Sequence, residues 1–135
     1  MTRTVDNNGI GALYATFAIH ETTPGTYDLD SDDVGKAVGL EDSYEVGFGS
    51  DGDRILGRLE HVAGGLATVQ IAGVARFIIN TAKTAPGVGD SLVVDGAGKV
   101  YQAPAIDGAT GDPAGGNIAR GVTLSADANA CDALL

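Results

Sequence analysis

Carboxylates at alternate positions suggest a cation site, and Asp28-Leu29-Asp30-Ser31-Asp32 opens like a calcium loop, which supplies oxygen ligands at that spacing. The pattern then breaks. The sixth position, where such loops turn on Gly, is Asp33, and the twelfth, where they place Glu, is Gly39. The stretch reads as a solvated acidic loop, and no metal is expected. Gly47-Phe48-Gly49-Ser50-Asp51-Gly52 has the G-x-G-x-x-G spacing of a dinucleotide turn. That chemistry needs a helix N-terminus to receive the pyrophosphate. Here Asp51 and Asp53 would repel phosphate, and no helical pattern follows. With 21 Gly in 135 residues, such spacing arises from composition alone. No cofactor is expected.

Asp51 with Asp53, or Glu41 and Asp42 with Glu45, would be the carboxylate pairs for glycoside hydrolysis. Raising one carboxyl pKa takes an apolar pocket, usually with aromatic walls. The chain has four Tyr, three Phe and no Trp, and both clusters fall in turns. His20 and His61 stand at strand ends without the clustered ligands a metal needs. Cys131 precedes Asp132 and has no basic neighbour in sequence to stabilise a thiolate, so it reads as a small buried hydrophobe. Ser43, Ser50, Ser91 and Ser125 lie in no nucleophile elbow. No catalytic residue is assigned, and the chain is not expected to be an enzyme.

The elements that would carry these residues are strands. Leu13, Ala15, Phe17 and Ile19 alternate with polar or small residues and share one face of a half-buried strand. A short strand is expected over 34–40, with Val34, Lys36, Val38 and Leu40 on one face, and another over 43–48. Residues 54–62 read as strand because Gly57 and Gly64-Gly65 oppose a helix. They pair with 66–71 across the glycines as a hairpin. Residues 74–79 are the most apolar strand. Residues 91–95 and 99–102 flank Gly96-Ala97-Gly98 as a second hairpin. Residues 103–117 read as a long surface loop, and 118–124 and 131–135 as the last strands. The expected fold is all-β: a small Gly-rich barrel or sandwich of seven to nine short strands. Residues 1–12 form an extended N-terminal arm, and 13–135 a single β domain.

Composition agrees. Of the 18 acidic residues 14 are Asp, which favours turns, and Ala supplies 20 of the hydrophobic residues, so the core is thin. A net charge of −10 with eight scattered Lys and Arg argues against nucleic acid and anionic membrane surfaces as partners. No apolar run is long enough to span a bilayer. The N-terminus has no secretory h-region, and a single cysteine cannot make an internal disulfide; both point to synthesis in a reducing cytoplasm. The apolar end, Ala133-Leu134-Leu135, suggests that a partner completes its burial.

One family has a similar order of motifs. Asp33-Val34-Gly35-Lys36-Ala37-Val38-Gly39-Leu40 is followed by Val46-Gly47-Phe48-Gly49-Ser50-Asp51-Gly52-Asp53 and Leu56-Gly57-Arg58-Leu59. Then come Ala67-Thr68-Val69-Gln70-Ile71-Ala72-Gly73-Val74, Pro86-Gly87-Val88-Gly89-Asp90, and Val93-Val94-Asp95-Gly96-Ala97-Gly98-Lys99-Val100. Ala119-Arg120-Gly121-Val122-Thr123-Leu124-Ser125 closes the series. Over roughly residues 33–135 this order resembles the capsid cement, or decoration, proteins of tailed bacteriophages. The resemblance implies a structural virion protein on the outer surface of a phage head. It would be a homotrimer that clamps neighbouring major capsid proteins, with no catalysis and no cofactor. The polar arm residues Thr2, Arg3, Thr4, Val5, Asp6, Asn7 and Asn8 would then contact the capsid, ordering on binding. A phage tail or host-surface carbohydrate-binding β module is the alternative, with Tyr14, Tyr27, Tyr44 and Tyr101 as its sugar platforms. A small hydrolase using the Asp clusters is a more distant third.

Overall fold

The computed structural model describes residues 5–105 and 120–135. Among the described residues are ten strands and a single turn of 3-10 helix, Ser31–Asp33. The strands are β1 (Leu13–Ile19), β2 (Ala37–Asp42), β3 (Glu45–Gly47), β4 (Gly57–Ala63) and β5 (Leu66–Ala72), then β6 (Val74–Ile78), β7 (Leu92–Val94), β8 (Val100–Gln102), β9 (Val122–Ala126) and β10 (Ala130–Leu134). The all-β class is as the sequence predicts. The count is one above the expected seven to nine, and the segments expected over 43–48, 91–95 and 99–102 shorten to the three-residue strands β3, β7 and β8, each paired in register.

Five strands close a barrel in the order β1-β3-β2-β4-β5. The β4–β5 hairpin forms as expected, with Ala63 opposite Leu66. β1 lies antiparallel to β5, with Phe17 opposite Ala67, and parallel to β3, with Ile19 opposite Val46, which shuts the ring. Outside the barrel sit a three-stranded sheet, β6-β10-β9, and the β7–β8 hairpin. Closure leaves the barrel strands no free edge to pair with another chain.

Two apolar cores result. One fills the barrel with Ile19, Leu29, Val38, Val46, Leu59, Ala67 and Val69. The other lies between the outer sheet and the hairpin and includes Ile55, Phe77, Ile79, Leu92, Val100 and Cys131. Strand β2 is the wall between them. Successive side chains point to opposite faces, so Ala37 enters the outer core and Val38 the barrel.

That double burial corrects the expectation for 34–40. The strand starts at Ala37, and Ala37, Val38 and Gly39 are all buried. Val34 and Leu40, expected on one face with Val38, are 43% and 55% exposed while Val38 is buried. Lys36 stands outside the strand and pairs with Asp33 at 2.8 Å. The neighbouring expectation is trimmed too: β3 begins only at Glu45, because Ser43 and Tyr44 form the turn from β2. Tyr44 is the one non-glycine at positive φ (55°) among the described residues.

Gly57 marks the tightest contact in the barrel. A Cβ there would lie 1.9 Å from the carbonyl oxygen of Gln70. The β4–β5 pairing therefore requires glycine at this position.

Candidate interaction surface

The N-terminal segment is fastened to the fold at its root. The Gly9 amide donates to the Val74 carbonyl at 2.8 Å, and the Val74 amide returns a bond to Ile10 at 2.9 Å. Residues 9–10 thus extend the edge of β6. Gly73, which separates β5 from β6, is what lets them in. It adopts φ +86°, and a Cβ on it would come within 2.5 Å of Gly11 C and Ile10 O. Residues 9–12 accordingly belong to the folded body, although the sequence places them in the arm.

Of the seven arm residues expected to bind a capsid, Thr2, Arg3 and Thr4 lie outside the described residues. Val5, Asp6, Asn7 and Asn8 are all exposed, Val5 at 73%. Asp6 accepts from the Asn8 backbone amide at 3.0 Å and its side-chain amide at 2.9 Å, which hold the Asp6 carboxyl below its ordinary range. The Asn8 amide also reaches Asp132 on β10 at 3.4 Å.

Asp132 belongs to the outward face of the β6-β10-β9 sheet. Register puts Val74 with Leu134, Arg76 with Asp132 and Ile78 with Ala130 on that face, while Phe77 and Cys131 point into the core. Arg76 is its polar centre, 2.8 Å from Asp127 and 3.2 Å from Asp132. The two carboxylates, Asp127 first, raise the Arg76 pKa. Around them the face is apolar and open: Ile78 is 47% exposed, and Leu134 and its β9 neighbour Val122 are each 45% exposed. The apolar end of the chain divides its residues, with Leu134 facing solvent and Leu135 packing against the outer core. The result is an open apolar face with an ion-paired centre, flanked by a polar strap.

The other sequence candidates are tied into local structure. In the acidic loop, Asp28 accepts from Thr22 and from His20, Asp30 caps the 3-10 turn, and Asp33 holds Lys36. No group of three or more His, Cys, Asp or Glu among the described residues is arranged to hold a metal. The Gly47–Gly52 stretch runs from the end of β3 into a turn, with no helix after it. Asp53 accepts from the Ser50 amide at 2.8 Å, and Glu41 from the Gly49 amide at 2.8 Å. Asp51 meets Lys83 Nζ at 2.9 Å and the Tyr101 hydroxyl at 2.8 Å, and these bonds hold its carboxyl down. Burial and the Asp51 bond push Tyr101 up to about 12. Cys131 is fully buried, and burial, followed by the charge of Asp132, pushes its thiol up to about 11.

Of the four tyrosines, Tyr44 stacks on Phe17 with ring centroids 6.3 Å apart. Two features had no sequence signal: the docking of residues 9–11 against Gly73, and the meeting of Arg54 with Arg120. Both depend on residues distant in the chain. No protein-family model matches the chain, and a search of curated proteins finds no significant match.

Proposed function

We propose that this chain is a capsid cement protein of a tailed bacteriophage. It would sit as a trimer on the outside of the head and clamp neighbouring major capsid proteins. The observation that carries the proposal is the strap on the open sheet face: an exposed polar segment, residues 5–8, leading away from a root bonded to Val74. A segment fixed at one end and exposed beyond it is suited to ordering against a partner. The apolar Ile78, Val122 and Leu134 beside it supply area to bury. Trimerisation would join three such weak contacts through effective concentration. The motif order over roughly residues 33–135 is the further support.

The test removes residues 2–8. The truncated protein is expected to melt near the full-length temperature, because the root at Gly9–Ala12 remains. Its occupancy on undecorated heads, imaged at regular lattice positions, is expected to fall. Unchanged occupancy rejects the strap as an anchor.

The Phe17–Tyr44 stack favours a second reading, a carbohydrate-binding module. The pair borders a depression of about 210 Å³ with Leu40, Asp42 and Ser43, combining an aromatic face with polar neighbours. Binding to host cells but not to heads, abolished by Tyr44→Ala, would favour it.

A further inference from the structure

The sequence holds one Asn-Gly pair, Asn8-Gly9, and it lies where the strap meets its root. Glycine after asparagine leaves the backbone nitrogen open to the asparagine side chain, because no Cβ shields it. The fold adds no crowding of its own. Asn8 is exposed, Gly9 sits at φ +86°, and a Cβ built on Gly9 would meet nothing within 4 Å. What restrains the pair is hydrogen bonding. The Gly9 amide donates to the Val74 carbonyl at 2.8 Å. The Asn8 side-chain amide donates to Asp6 Oδ1 at 2.9 Å and reaches Asp132 Oδ1 at 3.4 Å. These bonds lie at the sheet surface, beside Ile10, which is 61% exposed. Contacts of this kind open locally far more often than the whole fold unfolds.

We infer that Asn8 is a modification site: it deamidates spontaneously when the root opens, and the product keeps the strap released. In the open state the Gly9 nitrogen gives its proton to solvent hydroxide and attacks Asn8 Cγ. The N–Cγ bond forms and the Cγ–Nδ2 bond breaks. Nδ2 leaves with the bonding electron pair, takes a proton from water and departs as ammonia. Water then opens the cyclic imide at either carbonyl, leaving aspartate or isoaspartate at position 8. Water is consumed, ammonia is released, and nothing is oxidised or reduced.

Both products change what the root must hold. The Asn8 amide that donates to Asp6 and Asp132 becomes a carboxylate facing them. Arg76 already bonds Asp127 at 2.8 Å and Asp132 at 3.2 Å. A further anion at this place meets like charge at close range, which disfavours the docked strap. Isoaspartate adds a second effect. Its side-chain carbon enters the backbone, so the chain lengthens between residue 8 and the Gly9 nitrogen, and the bond to Val74 shifts out of register. The inference does not rest on the capsid reading, since it follows from residues 6–9 and their partners on β6 and β10.

The full-length protein is incubated beside the peptide acetyl-Asp-Asn-Asn-Gly-Ile-amide, which carries the sequence of residues 6–10 without the fold. Conversion at position 8 is read by peptide mapping that separates asparagine, aspartate and isoaspartate. The protein is expected to convert about tenfold more slowly than the peptide, because the root is closed most of the time. Gly73→Ala, which takes away the space for residues 9–11, should approach the peptide rate. Asn8→Asp supplies the charge alone, at an exposed position where the fold is expected to hold. Its Val74 amide should exchange about tenfold faster than the parent's. In both variants the amides of β4 and β5 should keep their protection, which separates release of the strap from unfolding. No conversion in the protein after many peptide half-lives would overturn the inference, as would equal rates in protein and peptide. A Gly73→Ala rate equal to the parent's would remove the root's control, and unchanged Val74 exchange in Asn8→Asp would remove the release; either overturns it.

Discussion

Single atoms decide what this fold tolerates. Gly57→Ala would drive a methyl group into the Gln70 carbonyl, and Val69 Cγ1 at 2.9 Å blocks an easy shift. The strands must part, at a cost of about 3 kcal/mol, measurable by urea denaturation; a change below about 0.5 kcal/mol would show that β4 moves freely. His20 is a second such point, 2.9 Å from Asp28. The Asp28 bond leads the causes that raise the His20 pKa above 6.5; burial opposes it, and Glu41 and Glu45 add to the rise. For Asp28, burial pushes upward, but bonds from Thr22 and His20 outweigh it and lower the pKa. A raised histidine pKa means the folded state binds the proton more tightly. The stabilisation is therefore full below pH 6.5 and disappears as pH rises through the folded value. His20→Asn should destabilise most below pH 6.5 and converge with the parent above the raised pKa. A pH-independent difference would contradict the ion pair.

At the scale of elements, the N-terminal segment docks because β6 offers an edge and Gly73 offers room. Gly73→Ala should expel residues 9–11, since the new Cβ would overlap backbone atoms of Ile10 and Gly11. The Val74 amide, bonded to Ile10, should then lose hydrogen-exchange protection, while amides of β4 and β5 keep theirs. Uniform loss across the barrel would instead make the segment part of the cooperative core. Strand β2 shows the converse constraint: covered on both sides over Ala37–Gly39, it lacks the alternation of a half-buried strand. Its Leu40 emerges from that cover, 55% exposed, at the rim of the cleft that Arg54 and Arg120 line.

For the whole molecule, the net charge of −10 governs association. Copies brought together as the proposed trimer must overcome mutual repulsion, which salt screens over about 8 Å at physiological ionic strength and about 30 Å at 0.01 M. The proposed trimer should therefore weaken as salt is lowered, and light scattering at several ionic strengths reads the change in mass. A monomer at every salt concentration, both free and on heads, would reject it. Neutralising scattered surface carboxylates should have the same sign of effect as adding salt.

The all-β class and most strand positions were legible in local pattern. The alternation of Leu13, Ala15, Phe17 and Ile19 and the two glycine-centred hairpins are local patterns, set by side-chain direction and turn sterics. The sequence also marked Cys131 as core and Asp51 as a turn residue, from neighbours a few positions away, whereas Glu41 and Asp42, expected in a turn, lie in β2 and Glu45 in β3. Tertiary structure alone decided that β2 would separate two cores, so the expected face of Val34, Lys36, Val38 and Leu40 did not hold. It decided that Gly57 would touch Gln70, that Gly73 would receive Gly11, and that Arg54 and Arg120 would share a cleft. Each of these depends on which distant segment lies opposite. Barrel closure and the packing of the outer sheet make that choice, and local periodicity does not encode it.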